Sequence, residues 1–428
     1  MNNPSHARPP IRCQTRKRIA PFLLTVFLLP TAASADLPGG LLTLDAAVRL
    51  ARAAQEPALA SHSARADALA HAAVADAQLP DPRFTSGLAN VPVDSPALDG
   101  ADMTQITLGL SQEFPAGDTL ALRGQQRDAQ SREQRALRQA RERDIILSTR
   151  EAWLNVFYHG RVRAVLEDSI RAVVELLDSL SARFATGSLH AQDMLRTELE
   201  LDLLRDQLTA HQQRAENFRA RLGRRIGADA YAAMPESLPE FTDLPEAGVL
   251  QERLTNHPLV QALDARIDAS RSGVALAEAS YRPAFSLQAG YGIRTELSDF
   301  ASIGVGVSMP LFTDKRQDRR RLAALRNESA EQLDRHALLL DLNEQLQREA
   351  SDWEHLSRRM ALYQRVVEER ARQTAEASVS TYASGQTDFA ELIRAQLAQL
   401  DVQLTRLELA RDRGIAWSRL IYLAGEQP

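Results

Sequence analysis

The groups able to do chemistry in this 428-residue chain are numerous but scattered. The one cysteine, Cys13, precedes an apolar stretch and has no thiol partner for a disulfide or zinc site. Eight histidines follow residue 35: His62, His71, His159, His190, His211, His257, His336 and His355. None is paired at i, i+4, and none lies in a His-Glu-x-x-His pattern, so no zinc helix is encoded. Met103, Met194, Met234, Met309 and Met360 are isolated, as core-filling methionines are, and form no soft-metal cluster. There is no G-x-x-x-x-G-K-[ST] loop and no G-x-S-x-G elbow. Gly304-Val305-Gly306 lies inside an alternating segment and opens no helix. The carboxylates sit on charged helical stretches, and no glycosidase-like pair stands out. The expectation is a protein with no catalytic residues, no cofactor and no bound metal.

What remains is charge at regular spacing. Asp388, Glu391 and Arg394 lie three residues apart on one helix face, and Asp193 and Arg196 have the same spacing earlier in the chain. Solvated helices carry such charges routinely. Repeated around a ring of subunits, they become rings that select cations and latch an entrance. These five residues are the candidate gate.

The elements that would position them begin with an export signal over 1–35. Arg8, Arg12, Arg16, Lys17 and Arg18 precede the apolar run Ile19 to Pro30, and Ala33-Ser34-Ala35 marks the cleavage point. That run is too short to cross a hydrocarbon core of ~30 Å as a helix. Loss of these five positive charges moves the net charge from −5 to about −10, against a nucleic-acid partner and compatible with a cation path. No later stretch has eighteen consecutive apolar residues, so a membrane-embedded form must be a β-barrel.

An internal repeat organises the rest. Gln55-Glu56-Pro57-Ala58-Leu59 answers Asn256-His257-Pro258-Leu259, and Asp81-Pro82-Arg83-Phe84 answers Arg282-Pro283-Ala284-Phe285, both at an offset of 201. Phe114-Pro115 pairs with Met309-Pro310 at 195, Trp153 with Trp353 at 200, and Phe184-Ala185-Thr186-Gly187 with Tyr382-Ala383-Ser384-Gly385 at 198. The first repeat covers 36–247 and the second 248–428, joined through Pro235, Pro239 and Pro245. Each reads as helix, two strands, very long helix, turn, helix. The first helices are expected over Leu42 to Leu79 and Val249 to Tyr281, each stopped by proline. Strands are expected at about 83–91, 103–114, 284–294 and 300–309. Their strict alternation of apolar with small or polar residues is that of a barrel wall. The long helices carry 4-3 spacing: Leu166, Ile170, Val173, Leu177, Leu180 and Phe184; Leu342 through Val367 with Glu349 in one slot; and Ile393, Leu397, Leu400, Leu404 and Leu407. A helix from Asp118 to Phe184 would extend ~100 Å. Four strands leave open edges that lipid cannot satisfy, so two or more copies must share one barrel.

The duplicated plan resembles the TolC family of outer-membrane efflux proteins over roughly 40–425. The specific marks are Arg183-Phe184-Ala185-Thr186-Gly187 and Thr381-Tyr382-Ala383-Ser384-Gly385. The resemblance implies a mainly α protein with a membrane β-barrel part: a homotrimer with a twelve-stranded barrel and a long helical periplasmic tunnel. It also implies a periplasmic adaptor and an inner-membrane pump of the resistance–nodulation–division class as partners. Phe184, Gly187, Ser188, Leu189, Tyr382, Gly385 and Gln386 would then be the adaptor-docking tips. Gln78-Leu79-Pro80-Asp81-Pro82, Gly87 to Asp94 and Gln112-Glu113-Phe114-Pro115 resemble the heavy-metal subgroup of CzcC- and CusC-like channels, which implies metal cations as cargo. Drugs or secreted polypeptides are the alternative cargoes. A soluble periplasmic coiled-coil scaffold is the reading of another class.

Overall fold

The computed structural model describes residues 40–94, 101–185, 191–241, 244–295 and 297–425. The expected signal over 1–35 lies outside them. The elements in order are α1 (Leu44–Ala53), α2 (Pro57–Asp76), β1 (Arg83–Ala89), β2 (Gln105–Phe114), α3 (Thr119–Ala185) and α4 (Ala191–Ile226). The second copy follows with α5 (Ala247–Leu254), α6 (Pro258–Ala279), β3 (Ala284–Ile293), β4 (Phe300–Ser308), α7 (Gln317–Leu362), α8 (Glu368–Ala383) and α9 (Phe389–Ala424).

The expected single helix at the start of each repeat is corrected to two. Pro57 and Pro258 open α2 and α6, and the residues before them, Glu56 and His257, are extended with ψ of 119° and 137°. Proline lacks the N–H that would continue a helix, and its ring pushes the preceding residue out of the helical region. His257 then caps α6, its Nδ1 accepting the Leu259 amide at 3.3 Å.

The four strands form one antiparallel sheet in the order β1-β2-β3-β4. Register places Phe84, Leu88, Ile106, Leu108, Leu110, Phe114, Phe285, Leu287, Tyr291, Ile293, Ile303, Val305 and Val307 on one face. The other face carries Thr85, Gly87, Thr107, Gly109, Ser111, Ser286, Gln288, Gly290, Ser302, Gly304 and Gly306. Among the described elements no helix covers the apolar face: Ile303 is 83% and Val305 70% exposed. Among the described residues the outer edges of β1 and β4 have no strand partner.

The helices continue the sheet strand for strand. α2 packs on α3, α3 on α6, and α6 on α7, in the same order as the strands they join. Alanines such as Ala66, Ala73, Ala129 and Ala136 let these helices approach closely. Carboxylate–arginine pairs tie the layer: Arg127 to Asp76 at 2.8 Å, Arg266 to Glu133 at 2.7 Å, and Arg335 to Asp264 at 2.5 Å.

Farther along, α1 packs on α3 and α4 around fully buried Trp153, whose Nε1 donates to the Leu42 carbonyl at 2.8 Å. Trp353 is only partly buried, with the Arg413 guanidinium 4.3 Å from its ring centroid. A tighter correspondence is Arg150-Glu151-Ala152 with Arg348-Glu349-Ala350, at the 198 offset of the two tips. Arg419 of α9 bridges Glu151 at 2.8 Å and buried Glu349 at 3.4 Å, joining the two repeats. The buried seam glutamate is thus compensated by a guanidinium, as a desolvated carboxylate must be.

The 67 residues of α3 extend ~100 Å at 1.5 Å per residue. Its seam is buried as the spacing predicts, Val162 and Leu166 against Leu204 and Leu400, and Leu180 against Phe389, Leu392 and Ile393. The second long helix departs from its expected continuity: Tyr363–Val367 is a π turn between α7 and α8, absorbing an extra residue in the hydrogen-bond ladder.

His159 continues the α3 seam one heptad before Leu166, and His211 continues the α4 seam of Leu201, Leu204 and Leu208. Their Nδ1 atoms lie 3.0 Å apart, so one ring donates and the other accepts. Burial, His211, Arg411 and Arg214 push His159 down from 6.5 to about 4; burial, Arg214 and Arg411 also lower His211. On α9, Glu408 and Asp412 hold Arg411 at 3.1 and 2.7 Å, over the Tyr158 ring. Depressed histidines bind fewer protons folded than unfolded. Their stabilisation is therefore complete above pH 6.5 and lost as pH falls from there through about 4. Thermal unfolding followed by the helical signal should show a midpoint falling across that window. The double variant His159→Gln, His211→Gln should flatten the fall, with buried His257 supplying the remainder; an unchanged slope contradicts the assignment.

Candidate functional site

Two regions can carry function: the hairpin ends of the long helices and the two-faced sheet. At the second hairpin, α8 ends at Ala383 and Gly385 takes φ +72°. The Gln386 amide donates to the Thr381 carbonyl at 2.9 Å and the Gly385 amide to Tyr382 at 3.0 Å. This is the paired C-terminal lock that needs a left-handed residue, which glycine supplies without Cβ strain. Asp388 then caps α9, its carboxylate accepting the Glu391 amide at 2.9 Å. The Tyr382 ring meets the Phe389 ring edge-on at 5.8 Å.

Phe389, Leu392 and Ile393 pack on Leu176 and Leu180 of α3, so the end of the second hairpin lies against the long helix of the first. Gly385 and Gln386 are exposed at the turn, and Tyr382 is half-buried beneath it. In the first hairpin, Gly187, Ser188 and Leu189 and the side chain of Phe184 lie outside the described residues.

Of the candidate gate, Glu391 and Arg394 form an ion pair within one turn, both exposed. Asp388 has a structural duty as the cap, which spacing alone does not reveal. Asp193 is half-exposed and Arg196 exposed in the first turns of α4. Within one protomer these charges form no ring; closure requires further copies. Among the described residues no group of three or more His, Asp or Glu could hold a metal ion. The His159–His211 contact was missed because each histidine was weighed along its own helix; the shared seam spacing was the available signal.

At the sheet, this face forms a concave surface of about 600 Å³ lined by Thr85, Thr107, Ser111, Gln288 and Ser302 with intervening glycines, and by Arg83, Gln105 and Phe300. A single layer with one continuous apolar face and one small, polar face suits a wall between lipid and water. Among the described helices none is long and apolar enough to cross a membrane.

Residues 249–426 match the profile of the family described as outer membrane efflux protein. The matched residues are 178 of the 428, and over them the chain is similar to that family. The first half repeats the same order of helices and strands, and the whole shares the fold of solved outer-membrane channels. Solved structures agree with it along the chain. The outer-membrane channel OprN matches at 17% identity over 90% of each chain, with a TM-score of 0.76. CusC matches at 14% identity over 92% of this chain and 96% of its own, also at 0.76. Campylobacter jejuni CmeC, an outer membrane channel, matches at 14% identity over 89% of this chain and 85% of its own, at 0.75. No curated protein matches in sequence. The match over 249–426 and the shared fold liken this chain to outer-membrane efflux channels.

Opposite faces of one strand should therefore answer oppositely to the same charge. Ile303→Arg, on the apolar face, costs about 2–4 kcal/mol if it faces mid-bilayer lipid. It should deplete the protein from the outer-membrane fraction. Ser302→Arg, on the other face, should assemble normally and lower single-channel conductance. Equal effects of the two would show that the faces do not separate lipid from water.

Proposed function

We propose that three copies of this chain close a twelve-stranded barrel and a helical conduit, and that the assembly is the exit duct of a tripartite efflux system. The observation that carries this reading is the uncovered four-stranded sheet with two unpaired edges. A periplasmic adaptor docks at the turns around Tyr382, Gly385 and Gln386 and at Phe184, Gly187, Ser188 and Leu189. An inner-membrane pump of the resistance–nodulation–division class drives the cargo. Outer-membrane lipid surrounds the apolar face.

The cargo in this reading is a heavy-metal cation. The strand-flanking motifs of the metal subgroup and the acidity of the exported chain support it. So does the concave face, whose side chains are mostly small and polar and offer no metal-binding cluster among the described residues. Selection then rests with the pump. Deleting the gene in a strain without redundant channels should lower tolerance to at least one of zinc, cadmium, cobalt, copper and silver. Normal metal tolerance with new drug sensitivity would transfer the cargo to drugs and sink the metal reading.

Asp193, Arg196, Asp388, Glu391 and Arg394 serve as charge rings near the narrow end. Because Asp388 is also a helix cap, Asp388→Asn with Glu391→Gln removes charge while keeping the cap acceptor. That variant should raise single-channel conductance or antibiotic leakage. Unchanged conductance, with the helical signal intact, argues against a gate at these positions.

A further inference from the structure

A dense positive run marks the junction of β4 and α7 on a chain whose net charge is −5. Lys315, Arg316, Arg319, Arg320, Arg321 and Arg326 fall within twelve residues that contain one acid, Asp318. Two of these charged groups are used inside the fold: Arg321 pairs with Glu278 at 2.9 Å, and Asp318 accepts the Tyr281 hydroxyl. Lys315, Arg316, Arg319 and Arg320 are exposed. Among the described residues none of these four meets a carboxylate; the one side-chain bond is Arg316 Nε to Gln317 Oε1 at 3.3 Å.

Helix folding does not account for them. A helix dipole favours acidic side chains at this end and disfavours cations. The equivalent twelve residues at the start of α3, 117–128, hold only two basic residues, Arg123 and Arg127, against six here. A local rule broken in one repeat and kept in the other points to a demand from outside the fold.

Their position says what the demand is. Met309, Leu311 and Phe312 precede them, separated from Lys315 by Thr313 and the exposed acid Asp314, and Phe312 is 84% exposed. Phe84, Phe114 and Phe285 lie on the apolar face toward the helical end of the sheet. Aromatic residues at an apolar border followed by Lys and Arg are the pattern of a membrane–water interface. The headgroup layer is roughly 5–8 Å thick, and the first four residues of α7 rise ~6 Å. Lys315, Arg316, Arg319 and Arg320 fall within that depth. Arg326, ~14 Å along the helix, falls below it.

We propose that Lys315, Arg316, Arg319 and Arg320 form a docking surface for anionic phospholipid headgroups in the leaflet on the helical side. It rests on the reading of the sheet as a lipid-facing wall and adds a lipid preference to it. Each subunit contributes one basic patch below the aromatic border, holding the barrel at a fixed depth.

The test uses the full-length oligomer in neutral detergent, titrated with phosphatidylglycerol or phosphatidylcholine, the retained lipid being counted by native mass spectrometry. Each basic residue near an anionic surface contributes roughly fivefold in affinity. The variant Lys315→Gln, Arg316→Gln, Arg319→Gln, Arg320→Gln should lose at least ~tenfold of its preference for phosphatidylglycerol, with phosphatidylcholine uptake unchanged. The wild-type preference should shrink with added salt. Arg358→Gln with Arg370→Gln, far along the helices, should behave as wild type. If the fourfold variant fails to assemble, Arg319→Gln with Arg320→Gln carries the comparison. Equal preference in wild type and variant overturns the proposal, as does full competition by millimolar inorganic phosphate. A wild type that takes up both lipids alike overturns only the basic surface. One that takes up neither and needs no detergent overturns the lipid-facing wall itself.

Discussion

A peptide group in lipid must find its hydrogen-bond partner within protein, because the hydrocarbon offers none. Everything else in this chain follows from how it meets that constraint with only four strands. β2 and β3 are paired on both sides; β1 and β4 are each paired on one. The remaining donors and acceptors at those edges cost several kcal/mol each if left in a bilayer. A barrel closed by further copies satisfies them, and the right-handed twist of a sheet turns a chain of such units into a cylinder. Closure also explains the composition of the two faces. In the proposed barrel, glycine and serine crowd the inner side, where side chains converge, while Ile303, Val305 and Leu110 occupy the outer side that would meet lipid.

The helices inherit the geometry of the strands. Because α2, α3, α6 and α7 are ordered as β1 to β4, a closed sheet enforces a closed ring of helices beneath it. That ring is held differently from the barrel: alanine contacts permit close approach, and arginine–carboxylate pairs fix the register between neighbours. Exposed pairs contribute little each, so their value lies in alignment. Arg419, spanning Glu151 and buried Glu349, locks the two repeats where their long helices meet. The histidine pair plays the same part between α3 and α4, with burial first, and then the arginines on α4 and α9, disfavouring its protonation.

Much of this was legible in the residues, for physical reasons that differ by element. The strands were readable because lipid and water impose opposite demands at every second residue, so Phe285 to Ile293 can hardly be anything else. The seams were readable because a buried stripe recurs every three or four residues. The breaks at Pro57 and Pro258 were present in the text but smoothed over by continuous apolar periodicity across them. The π turn at Tyr363–Val367 leaves the apolar pattern almost intact and was invisible for that reason. At the hairpin end, Gly385 was recognisable from its position after Tyr382-Ala383-Ser384. The capping role of Asp388 was hidden, since a cap and an exposed charge look alike at three-residue spacing. Contacts between helices far apart in sequence, His159 with His211 or Arg419 with Glu151 and Glu349, needed the fold to bring them together.

The proposed channel depends on protomers that complete one another's lipid-facing sheet. The most direct measurement is the mass of the assembly extracted from membranes, taken first in detergent and again after detergent is removed. Three protomers per particle in detergent, precipitating or aggregating without it, is the expected result. A soluble, monodisperse single chain in plain buffer would contradict the central claim.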